Sequence, residues 1–136
     1  MSPVRASRHF YPKNRSNHDA LPVPKVKPKD DSAGMNKGEM RYASVLDQRI
    51  VDGHVAGWYF EHLSIKLADN TFYKPDFLVI LADGSVELHE VKGASKGSFV
   101  VTESGWVKIK VTAKQSPFPV VVVWQEKSGQ WREERP

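Results

Sequence analysis

Two short segments, Phe77-Leu78-Val79-Ile80-Leu81 and Val120-Val121-Val122-Val123-Trp124, are apolar at every position. A strand with one wet face alternates apolar and polar residues. An unbroken apolar run of this length, rich in β-branched residues, instead predicts a strand buried on both faces near the centre of a sheet. At 136 residues the chain has the length of one domain and enough apolar side chains to bury an ordinary core.

Other elements can be placed around these two. Asn36 followed three residues later by Glu39 makes a capping-box pattern. Ala43, Leu46 and Ile50, flanked by Met40, Tyr42 and Val45, then recur at helical spacing until Asp52-Gly53, so a helix is predicted over roughly 37–52. Trp58-Tyr59-Phe60 and the alternating Leu63, Ile65 and Leu67 predict a long, interrupted strand, and 72–81 and 86–92 predict two more. The last two are joined at the hairpin signal Asp83-Gly84. Residues 93–105 read as a loop. Residues 106–115 are ambiguous: Val107, Ile109 and Val111 alternate as in a strand, while Val107, Val111 and Gln115 would line one helical face. From Arg132 the chain is polar and is expected to fray.

Charge is unevenly distributed. Residues 1–34 hold seven Lys/Arg and three Asp/Glu, so the whole net charge of +4 lies there, and 35–136 hold thirteen of each sign. This segment, rich in Pro and Lys and without apolar periodicity, reads as a disordered basic leader that can add salt-dependent affinity for a phosphate backbone. With no cysteine, disulfides and Cys-ligated zinc are excluded. No apolar run spans a bilayer and no secretory signal opens the chain, so a cytoplasmic protein without a membrane partner is expected.

Chemistry concentrates at Pro75-Asp76 and at Glu90-Val91-Lys92-Gly93. If the turn between the strands is the three-residue loop Ala82-Asp83-Gly84, with Gly84 left-handed in a G1 bulge, Leu81 pairs with Ser85. Asp76 then lies across from Glu90, and Lys74 across from Lys92, on one face. A two-residue turn would set Phe77 opposite Glu90 and send Asp76 to the other face. The three-residue loop is the expectation. Two opposed carboxylates suit a hard cation such as magnesium, with manganese as substitute, and a neighbouring ammonium suits charge growing on a phosphate. Glu39 is explained equally by the capping box. His54, His62 and His89 are unclustered, and the four tryptophans are expected in packing roles. A Glu–Lys pair on a strand is also an ordinary ion pair.

From Lys37-Gly38-Glu39 through Tyr73-Lys74-Pro75-Asp76 to His89-Glu90-Val91-Lys92-Gly93 and Val107-Lys108-Ile109-Lys110, the chain resembles a small phage-encoded family of the PD-(D/E)xK nuclease superfamily. That family is similar to phage endonuclease I, a Holliday-junction resolvase. The likeness covers about residues 36–124. It implies an α/β fold with a restriction-endonuclease-like core, a central mixed sheet flanked by helices in the order α-β-β-β-α-β, filling 35–131 between the leader and a frayed tail at 132–136. It also implies that 106–115 is a helix.

By the same resemblance Asp76 and Glu90 are metal carboxylates, Lys92 is the catalytic lysine and Glu39 is a supporting acid from the first helix. Lys74, Lys96, Lys108 and Lys110 are the candidate phosphate contacts. The implied activity is metal-dependent endonucleolytic cleavage of DNA, branched or otherwise structured, in phage replication or recombination. Homodimers are frequent in the superfamily. Alternatives are a non-catalytic DNA-binding or assembly protein on the same fold, and an RNA-directed nuclease.

Overall fold

Helix α1 (Lys37–Val51) forms where the capping box predicts. The Asn36 side chain accepts the Glu39 N–H and the Glu39 carboxylate accepts the Asn36 N–H, so two of the helix's orphan donors are met. Its far end closes in a Schellman arrangement: His54 N–H reaches the Arg49 carbonyl, Gly53 N–H reaches Ile50, and Gly53 takes φ +86°. The computed structural model describes residues 34–136, so the expected leader lies, but for Gly34, outside the described residues.

The strands are β1 (Val55–Phe60), β2 (Ile65–Ala68), β3 (Thr71–Tyr73), β4 (Phe77–Leu81), β5 (Val86–Lys92), β6 (Ala94–Ser95), β7 (Ser98–Phe99), β8 (Val120–Gln125) and β9 (Trp131–Glu134), with helix α2 (Glu103–Gln115) before β8. The fold is α/β. Five strands form one mixed sheet in the order β1-β4-β5-β8-β9, with β5 and β8 parallel and β8 and β9 antiparallel. The hairpins β2-β3 and β6-β7 stand outside it. Both all-apolar segments are interior strands, as expected. No helix among the described residues is long and apolar enough to cross a membrane.

The chain divides into two units. The first comprises the described residues to Phe60 with Val79–Val86, and the second comprises Glu61–Leu78 with Glu87–Pro136. In the first, α1 buries Tyr42, Ala43, Leu46 and Ile50. The fully buried Trp58 of β1 donates its indole N–H to Asp47 of α1 at 2.9 Å. The turn after β4 also lies here and has the expected three-residue form. Leu81 N–H bonds to the Ser85 carbonyl, Gly84 N–H returns to the Leu81 carbonyl, and Gly84 sits at φ +89°. Asp83 Oδ1 accepts the Ser85 N–H at 2.9 Å and fixes the exit from the turn.

In the second unit, Tyr73, Leu88, Ile109, Val120, Val122 and Trp124 form a buried cluster. The alternating Leu63, Ile65 and Leu67 pack against it from one side of their strand, as their spacing predicts, and Leu78, Phe99 and Trp106 join them. Residues 106–115 belong to helix α2, capped by Thr102, whose hydroxyl accepts the Gly105 N–H. The strand-like alternation in α2 is not what packs. Ile109 and Thr112, three apart, are buried, while Val107 and Gln115 of the expected helical face are exposed.

Four expectations need correction. The long strand expected from Trp58 to Leu67 is two, β1 in the five-stranded sheet and β2 in the separate β2-β3 hairpin. The strand expected over 72–81 is two strands, because Pro75 has no N–H to give a ladder and the chain leaves the strand path at Lys74-Pro75-Asp76. The loop 93–105 contains the small hairpin β6-β7. The tail from Arg132 is not frayed, since Glu134, Glu133 and Arg132 pair with Val122, Val123 and Trp124. Its polar side chains suit an edge strand.

Candidate active site

The site is built where β3 ends, β4 begins and β5 runs out, all within the second unit. Carried along the hairpin from Leu81 and Ser85 and one step past the start of β4, the register would set Asp76 opposite Glu90. Asp76 precedes the first residue of β4, and its carboxylate stands in for a ladder carbonyl: Oδ2 accepts the Val91 N–H at 2.8 Å. Its own carbonyl accepts the Glu61 N–H at 2.8 Å. Two elements therefore fix Asp76, and the buried Pro75 stiffens the approach.

Glu90 lies between Leu88 and Lys92 on one face of β5, since side chains two apart share a face. Leu88 belongs to the apolar cluster, so this face passes from core to charge within three alternate positions. Glu90 is only 7 % exposed. A buried carboxylate needs partners, and it has two. The Tyr73 hydroxyl donates to Oε1 at 2.5 Å, and Lys92 Nζ lies 3.0 Å from Oε2. Burial pushes the Tyr73 phenol well above its ordinary value, and the charges of Glu90 and Asp76 push it further, with the hydrogen bond to Glu90 adding to them. Tyr73 therefore remains a neutral donor at neutral pH.

The donor chemistry fits a hard cation. Each carboxylate oxygen has two acceptor directions, so Glu90 retains capacity after meeting Tyr73 and Lys92. Two carboxylates and several waters are a usual magnesium environment. Among the described residues no group of three or more His, Cys, Asp or Glu side chains is placed to hold a metal.

The remaining expected residues are more dispersed. Glu39 is buried in the first unit, where its carboxylate serves the capping box. Lys74 is exposed and outside β4, so it does not extend the ladder opposite Lys92. Lys108 and Lys110 stand two apart on α2 and so point in different directions. Lys108 is half-buried, and the exposed Lys110 has its ammonium 6.0 Å from the Trp106 ring centre. Lys96 is exposed in the β6-β7 turn at φ +51°.

Sequence reasoning does not single out Tyr73 as a site residue. It stands three positions before Asp76 in the Tyr-Lys-Pro-Asp run, and a phenol so close to a candidate carboxylate is the available signal. The aromatic wall beside Lys92 also escapes it. Trp124 is the ladder partner of Lys92, and Phe99 packs between Trp124 and Trp106 at 5.1 and 5.3 Å. No protein-family model matches the chain, and no curated protein or solved structure matches it.

Proposed function

We propose that the chain is a metal-dependent endonuclease of the PD-(D/E)xK type with a restriction-endonuclease-like core, hydrolysing phosphodiester bonds in DNA. The reading rests on one observation above all: the Asp76 carboxylate accepts the Val91 N–H at 2.8 Å, one residue from Glu90, whose own carboxylate lies 3.0 Å from the Lys92 ammonium. Asp76 and Glu90 would hold magnesium or manganese. When bound, the ion supplies Lewis-acid stabilisation of charge on the phosphate oxygens. Lys92, a quarter exposed, can donate a hydrogen bond to an anionic phosphate oxygen beside the pair. Tyr73 and the Val91 N–H hold the two carboxylates in place. Branched DNA in phage recombination is the proposed substrate, by resemblance.

A second reading is a structural ion pair without catalysis. It is favoured by the fact that both Glu90 oxygens already have donors. Incubating the protein with plasmid, four-way junction and RNA, with magnesium, manganese or chelator, separates the two. Metal-dependent DNA nicking that disappears in Glu90→Gln and Asp76→Asn supports the nuclease. Nicking retained by both variants, or none on any substrate, refutes it.

A further inference from the structure

We infer that the cleft beyond the ends of β5 and β8 is a binding site for the DNA phosphodiester backbone flanking the cleaved bond, an inference that rests on the nuclease reading. The cleft, of about 480 Å³, is lined by Ala94, Ser95, Lys96 and Gly97 on one side and Glu126, Lys127 and Ser128 on the other.

Topology puts it beside the site. β5 and β8 are parallel neighbours, and Lys92 at the end of β5 pairs with Trp124 near the end of β8. Crevices beyond the carboxyl ends of parallel strands are where α/β sheets place ligands. From Lys92 to Ala94 is two residues of extended chain, about 7 Å, comparable to about two base steps along one DNA strand.

Charge favours an anion. Of the charged lining residues, Glu126 is already met by Arg132 at 3.1 Å, leaving the exposed Lys96 and Lys127 to set the sign. Lys96 and Gly97 form a two-residue turn with φ +51° and +81° between Ser95 and Ser98. Such turns favour Asn-Gly, and a lysine held left-handed costs about 1 kcal/mol.

The test is anisotropy binding of a labelled duplex, without magnesium, across a salt series. Lys96→Asn with Lys127→Gln keeps the turn and removes both charges. Lys37→Gln with Lys66→Gln removes the same charge from exposed positions elsewhere. The cleft pair is expected to weaken binding about tenfold and lower the salt slope by about two, with a much smaller effect from the other pair. Equal effects from both pairs, no effect, or no binding by the wild type would overturn the inference. Cleavage assays keep the two readings apart. DNA held through the cleft but never cut leaves the cleft standing and removes the nuclease, whereas cutting with unchanged affinity in the cleft variant removes the cleft alone.

Discussion

The Tyr73 hydroxyl and Glu90 Oε1 lie 2.5 Å apart, joining the end of β3 to the carboxylate at the centre of the site. Tyr73→Phe removes the donor and leaves the buried Glu90 carboxyl group short of a partner. A hydrogen bond to a charged group contributes about 1.5–3 kcal/mol, so a loss of unfolding free energy of that order, read from urea denaturation, is expected. The folded phenol titrates above its ordinary value of 10.0, so its contribution is present below that pH and lost as the pH rises beyond it. Absorbance of tyrosinate during alkaline titration should show the Tyr73 phenol ionising above the ordinary range, so Tyr73→Phe should have one fewer late-titrating phenol than wild type.

Lys92→Met separates holding from helping. On the proposed nuclease reading Glu90 and Asp76 remain to hold the ion, so calorimetry should show metal binding retained while the cleavage rate falls about 100-fold or more. Glu90→Gln should lose both. Equal loss of metal affinity in the two variants would mean that Lys92 acts only by steadying Glu90.

How far the sequence foretells this arrangement depends on what each segment has to signal with. Phe77–Leu81 and Val120–Trp124 announce themselves because full burial on both faces leaves no polar position. Asp83-Gly84 announces the turn because Gly84 needs φ +89°. Pro75 is a visible reason to split 72–81, but the apolar residues on either side of it carry the stronger pattern. β9 has no such mark: Arg132, Glu133 and Glu134 carry no apolar alternation, and only pairing with β8 orders them. The approach of Asp76 to the Glu90-Val91 segment is legible through the turn, whereas the Tyr73 bond joins residues seventeen apart and depends on where β3 ends.

Gly84→Ala tests the turn that sets this register. Nothing lies within 4 Å of an added Cβ, so the cost is backbone strain alone, about 1–2 kcal/mol. Gly84→Asn should cost less, because Asn tolerates the left-handed region. Urea midpoints ranked glycine, asparagine, alanine are expected. Equal midpoints would mean that the turn relaxes without strain.

Glu87 gives the acid limb of stability. Its carboxyl is held at about 2, down from 4.5: the hydrogen bond with His89 is the largest cause, burial opposes it, and Arg135 adds to the lowering. His89 Nε2 and Arg135 lie 2.9 Å from its two oxygens. Because the folded value is below the unfolded one, this group stabilises the fold above pH 4.5 and the contribution disappears as the pH falls to about 2. Glu87→Gln should therefore be less stable than wild type at neutral pH, with the difference in urea midpoint shrinking across that acid window. A difference that stays constant down to the lowest pH would show that packing, not charge, is what Glu87 supplies.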